Sequence, residues 1–165
     1  MMEISPSCGP EVAIESRRGE FLITTDRTRL DLEVIHGFLT NCYWAEGIPR
    51  DVVARSIEHS LCFGIYHEAG AEFSQVGFAR VITDFATIAY LGDVFVLEAY
   101  RGVGLSKWMM EYIMQHPQLQ GLRRWILLTR DAHGLYSKFG FTPVKAPDRY
   151  MELHRADIYE IRETR

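Results

Sequence analysis

The stretch VFVLEAYRGVGLSKWMMEYI, residues 94–113, restricts the fold more than any other part of the chain. An apolar, β-prone run stops within it and a helical spacing begins, with Gly102 and Gly104 at the join. Leu105, Trp108, Met109, Tyr112 and Ile113 recur at i, i+3, i+4, i+7 and i+8, which predicts a helix laying one face on a sheet. Where a strand feeds a helix, the first helical N–H groups point out together, unpaired and partly positive. Glycines in front of them remove Cβ atoms, so an anion can come close to the backbone. From these residues alone a tight turn and an anion cradle are equal readings. Under the second, Arg101 and Lys107 add positive charge.

Two other phosphate motifs are excluded. A dinucleotide fingerprint needs G-x-G-x-x-G, and Lys107 occupies the third glycine position. Where that motif expects an acid, Arg123-Arg124 stand instead. The P-loop pattern G-x-x-x-x-G-K-[ST] is absent.

The rest of the pattern supplies a mixed sheet. EFLITT (20–25) alternates and reads as a strand paired with the preceding VAIES. Leu30, Val34, Ile35, Phe38 and Leu39 have helical spacing, with Asp26 or Thr28 as a cap. A second helix follows Gly47-Ile48, with Pro49 near its first position. SLCFGIYH (60–67), SQVGFARVIT (74–83) and ATIAYLGDVFVL (86–97) are close enough in sequence to form an antiparallel meander. RRWILLT (123–129) reads as a buried strand. DAHGLYSKFG (131–140) reads as a short helix from an Asp131 cap to a terminal Gly140. FTPVK and RYMELH read as closing strands. This order predicts an α/β fold with a mixed sheet covered by helices, not a doubly wound one.

Composition narrows the function classes. A chain of 165 residues suits one domain. A net charge of −4 argues against nucleic acid as a partner. The odd set Cys8, Cys42 and Cys62, without C-x-x-C spacing, suggests neither a disulfide framework nor a metal site. The first twenty residues lack a signal-peptide layout and no apolar run is long enough for a bilayer, so a cytoplasmic protein without a membrane partner is expected.

With R-G-V-G-L-S at 101–106, the chain resembles the GNAT superfamily of N-acetyltransferases, whose turn reads [RQ]-x-x-G-x-[GA]. Arg101 and Gly104 match, and Ser106 departs at the last position. TRDAHGLYSKFGF (129–141) matches a second family element, a strand then a helix carrying a tyrosine before a Gly-Phe pair, with Tyr136 in the tyrosine position. The resemblance runs from about residue 20 to 154 and implies a single N-acetyltransferase domain over 1–165 with short terminal extensions. It implies a mixed, mostly antiparallel sheet with splayed fourth and fifth strands, here ATIAYLGDVFVL and RRWILLT, and about four flanking helices.

The same resemblance implies acetyl-CoA as cosubstrate, with no metal. Val94, Phe95 and Val96 would offer backbone groups to the pantetheine. Arg101, Gly102, Val103, Gly104, Leu105, Ser106 and Lys107 would form the pyrophosphate turn. Acetyl transfer to a primary amine of a small molecule or protein needs a neutral amine, a donor for the oxyanion and help for the leaving thiolate. Tyr136 is the family's candidate for the last task, although its helical face also suits it to packing. RRWILLT contains no carboxylate, so Asp93 is the nearest acid for a base, acting through water, with Glu98 and His133 behind it. Asp93 suits a hydrogen-bonded strand-end residue equally well. Thr129 stands where relatives often carry Asn, which alters one polar contact to CoA. Tyr43, Trp44 and Glu46 could line an amine pocket or equally pack the helix junction. A non-catalytic CoA-binding or sensing domain is the alternative function. Homodimer formation is left open.

Overall fold

The computed structural model describes residues 13–160. Six strands lie side by side in chain order: β1 (Glu15–Arg18), β2 (Phe21–Thr24), β3 (Leu61–Ala69), β4 (Glu72–Thr83), β5 (Ile88–Val96) and β6 (Arg124–Ile126). Every pairing is antiparallel except β5 with β6. The segments expected as fourth and fifth strands are thus fifth and sixth, because the β1–β2 hairpin comes first. Of VAIES, Glu15 and Ser16 do pair with β2, and Val12 lies outside the described residues.

Helices cover both faces. One apolar cluster joins Phe63, Ile65, Val81, Leu91 and Val96 of the sheet to Leu105, Trp108, Met109 and Ile113 of α3 (Leu105–Met114). On the opposite face Cys62, Phe78 and Phe95 pack with Ile35 and Leu39 of α1 (Leu32–Leu39) and Val53 of α2 (Arg50–Glu58). Phe95 and Val96 are neighbours in sequence and serve opposite clusters, as side chains alternate across a strand.

The cap of α1 differs from the expectation. Asp31 accepts from the N–H groups of Glu33 and Val34, a contact worth about 1 kcal/mol. Asp26 instead caps a single 3₁₀ turn, Arg27–Arg29, one step earlier. Pro49 stands just before α2, where its missing N–H costs nothing. α4 (His133–Tyr136) is short and continues as a 3₁₀ turn, Ser137–Phe139, that ends at Gly140 as expected. No side-chain bond caps its start, so Asp131 is not the cap; the Thr129 hydroxyl accepts from the N–H of Ala132, just before the helix.

The expected strands near the C-terminus need more correction. RRWILLT contributes three paired residues, matched as Ile88↔Arg124, Ala89↔Trp125 and Tyr90↔Ile126. FTPVK and RYMELH form no strand. β-prone composition makes a strand only where a neighbour takes its backbone hydrogen bonds, and these segments find none among the described residues.

Candidate functional site

β5 is built to part from β6. Between the pairs Arg80↔Gly92 and Phe78↔Phe95, β4 advances two residues while β5 advances three. The surplus residue falls at Asp93–Val94, a β-bulge, and Asp93 takes φ 54. Aspartate tolerates that left-handed region better than most residues, and a bulge bends its strand and steepens the twist. The β5–β6 ladder has already stopped at Tyr90↔Ile126, so Val94, Phe95 and Val96 face the gap without a β6 partner. The two strands are thus unpaired beyond Tyr90, and the bulge lies within the freed stretch of β5.

Asp93 is firmly held. One carboxylate oxygen accepts from Arg80 Nε and the other from Trp44 Nε1 at 3.2 Å. Arg80 in turn donates to the Ser60 hydroxyl at 3.2 Å. Asp93 is therefore a mid-strand residue pinned between β4 and the α1–α2 loop, rather than a strand-end acid. Its ion pair with Arg80 is only 12% exposed on the Asp93 side.

That loop leans over the gap. Trp44 packs edge-on against Tyr43, and Phe38 stacks on Phe95 with ring centroids 3.9 Å apart. The Tyr43 hydroxyl accepts from the N–H of Arg130, just past β6, and the Arg130 guanidinium lies 3.8 Å from the centre of the Tyr43 ring. Tyr43 and Trp44 thus pack at the helix junction, and each keeps more than two fifths of its surface exposed. Glu46 is exposed beside them.

Tyr136 enters from α4 on the other side of the gap. It is 8% exposed and belongs to the cluster that holds Val96 and Leu105. Burial, with the nearby charges of Tyr43, Asp131 and Tyr90 added, pushes its hydroxyl pKa up to about 12. It is a donor that stays protonated. Glu98 and His133 are both exposed, on the 3₁₀ turn after β5 and at the start of α4.

The glycine turn sits where β5 ends. Gly102 and Gly104 have φ 83 and 84, a region that costs other residues about 1–2 kcal/mol. A Cβ added at either would meet nothing within 4 Å, so both face open space. Gly104 precedes α3 and no side chain caps it. The first N–H groups of α3 are thus without a side-chain cap, a helix start of the kind that suits an anion. Beside them is a cavity of about 260 Å³ lined by Val96, Tyr100, Arg101, Gly102, Gly104 and the first turn of α3. Arg101 has a second task that the sequence does not reveal: its Nε donates to the Val96 carbonyl at 2.9 Å, tying the turn to the strand end. Lys107 is exposed and pairs with Glu111 at 3.6 Å. An uncapped helix start behind open glycines, next to a freed strand edge, fits the diphosphate and pantetheine of a CoA thioester. The residues that would hold it are those of the turn and the backbone of Val94–Val96.

Comparison with known proteins agrees with this geometry. The sequence profile described as "Acetyltransferase (GNAT) domain" matches residues 58–143. "Putative acetyltransferase FG08082" of Gibberella zeae is 34% identical over 140 residues, covering 73% of this chain and 78% of that protein. The crystal structure of "a putative acetyltransferase belonging to the gnat family" from Xanthomonas campestris pv. campestris superimposes with a TM-score of 0.79. It is 50% identical and covers 85% of this chain and 96% of that one. A Clostridium acetobutylicum "predicted acetyltransferase with acetyl-CoA" shares the fold at a TM-score of 0.55 and 16% identity, over 76% of this chain and 92% of that one. The sequence profile and the superposition define an acetyltransferase domain. The chain belongs to the GNAT acetyltransferase family.

Proposed function

We propose that the protein is an N-acetyltransferase that moves the acetyl group of acetyl-CoA to a primary amine of a small molecule or a protein. The observation that carries this reading is a coincidence at one end of the sheet. The freed edge of β5, the uncapped start of α3 behind two open glycines and the buried Tyr136 all converge there.

In this reading the thioester lies along Val94–Val96 with its diphosphate on the N–H groups of residues 102–107. The amine attacks in its neutral form, which for an alkyl amine of pKa ~10 is about a thousandth of the total at neutral pH. A β5 backbone N–H beside the bulge meets the oxyanion. The Tyr136 hydroxyl donates a hydrogen bond to the departing thiolate sulfur. Asp93 would give up its Arg80 pair if it took a proton, so we assign it to shaping the strand. Proton removal then falls to water in the gap.

Titration with CoA followed by a thiol-release assay against a panel of amines tests the reading. Binding with release supports it. Absence of CoA binding by a folded protein overturns it. Tight binding without release from any amine would favour the alternative, a CoA-binding or sensing domain, which the fully engaged carboxylate of Asp93 makes a definite second reading.

A further inference from the structure

Two arginines lie beside the gap and are used differently. Arg80, from β4, is taken up by Asp93 and the Ser60 hydroxyl. Arg130, just past β6, pairs with no acid. Among the described residues no carboxylate lies within ion-pair distance of it, neither the adjacent Asp131 nor the exposed Glu46. An exposed arginine without an acid is ordinary, and what sets Arg130 apart is that it is held.

Tyr43 holds it at two points. Its hydroxyl accepts from the Arg130 backbone N–H at 3.2 Å, and its ring lies under the guanidinium at 3.8 Å. The next residue, Trp44, donates to Asp93, so the loop that carries Tyr43 is itself pinned to β5. A long side chain is thereby fixed before any ligand arrives, which lowers the entropy cost of a contact to it. The guanidinium keeps its N–H fork unspent, and that fork matches two oxygens of a carboxylate or a phosphate.

Position supports the same reading. After burial, the charge of Tyr43 is the next cause that raises the Tyr136 hydroxyl pKa, so the held arginine and the thiolate donor share one end of the gap. The face of Tyr43 that could receive an ammonium group is already occupied by Arg130. A second cation on an acceptor would meet like charge there. Resting on the acetyl-transfer reading above, we propose that Arg130, held on Tyr43, selects amines whose molecule also carries an oxyanion group, carboxylate or phosphate. The guanidinium binds that group while the amine reaches the thioester.

Thiol-release kinetics on the full chain with paired acceptors test this, with rates referred to the neutral amine fraction. The pairs are β-alanine and γ-aminobutyrate, each against its primary amide, and phosphoethanolamine against ethanolamine. In at least one pair the anionic member should lead in kcat/KM by about 10- to 150-fold, the worth of a charged hydrogen bond, and which pair leads tells carboxylate from phosphate. Arg130→Gln should erase that lead by raising KM with kcat nearly unchanged, because the oxyanion is bound alike before and during reaction. Arg130→Glu should turn the preference toward a diamine such as putrescine. CoA affinity should be the same in Arg130→Gln as in the wild type; weaker binding would place the guanidinium on the cosubstrate's phosphates and overturn the proposal. Equal rates within every pair, or a lead that survives Arg130→Gln, also overturn it. Calorimetry of the same pairs on the CoA-loaded protein reads the preference without turnover. If no amine releases thiol, the acetyl-transfer reading falls, while that calorimetry still decides for or against Arg130.

Discussion

Replacing Tyr136 with Phe separates two roles that one hydroxyl can play. As a proton donor it would have to give its proton to a thiolate whose acid has a pKa of ~8.5, while its own is pushed to about 12. That transfer is uphill by about 3.5 units, or ~5 kcal/mol at 1.36 kcal/mol per unit. Full proton transfer would slow the step it is meant to assist. A hydrogen bond to the charged sulfur carries no such cost and is worth about 1.5–3 kcal/mol. Tyr136→Phe should therefore lower kcat by roughly 10- to 150-fold. Its affinity for acetyl-CoA should stay within about threefold, because the bond strengthens only as the thiolate forms. Stopped-flow thiol release gives the rate and calorimetry the affinity, on a variant whose melting temperature confirms folding. The raised pKa adds a sign: the hydroxyl stays protonated as pH rises through about 8 to 10, so kcat should show no falling limb there from this group. An unchanged rate in the variant refutes the donor role. A wild-type falling limb near pH ~9 that disappears in the variant refutes the hydrogen-bond argument in favour of an acid.

The other predictions concern the turn, the bulge and alkaline stability. Gly104→Ala should cost about 1–2 kcal/mol of stability from its φ and also weaken CoA binding, because the new methyl enters the open side of the turn. Gly121→Ala has a similar φ of 75 and equally open surroundings away from the site, so it should cost similar stability and leave CoA affinity unchanged; parallel calorimetry of the two separates strain from blockage. Asp93→Asn should destabilise the protein by about 1–3 kcal/mol by leaving Arg80 without its charged partner. It should reduce activity without removing the rising limb of the pH–rate profile, and loss of that limb would make Asp93 the base after all. Tyr66, Tyr112 and Tyr136 all have hydroxyl pKa values raised by burial, the last two to about 12. Above pH ~10 the unfolded chain releases these protons while the folded one keeps them, so stability is fully present below ~10 and falls as pH climbs toward ~12. Tyr66→Phe, which removes a buried hydroxyl without a hydrogen-bond partner among the described residues, should raise the melting temperature and flatten that decline.

What the sequence reveals depends on whether a feature is set by neighbours along the chain or across it. The 3.6-residue spacing of α3 and the glycines before it are local, and both stand where the pattern puts them. The meander from β3 to β5 is nearly as legible, because its turns are short and β-prone runs flank them. The Asp93 bulge is not legible, since LGDVFVL reads as an unbroken strand until the partner's residues are counted against it. Nor is the pairing of Asp93 with Arg80 and Trp44, 13 and 49 residues away in sequence. The task of Arg101 splits the same way: its motif position is visible, its bond to the Val96 carbonyl is not. RYMELH has the alternation of a strand and no partner among the described residues, so its propensity goes unfulfilled.

The bulge turns the shape of the gap beside β5 into a matter of counting. β5 holds one more residue than β4 between two shared rungs, and that single insertion is what the strand cannot absorb while staying flat. Deleting one residue at 93–94 would even the count and let the outer half of β5 run straight. Every side chain named in the gap could then be present while the space between them was lost. A relative could thus retain the glycine turn and the tyrosine and still hold no thioester, and the number of residues between Gly92 and Phe95 would be the place to look.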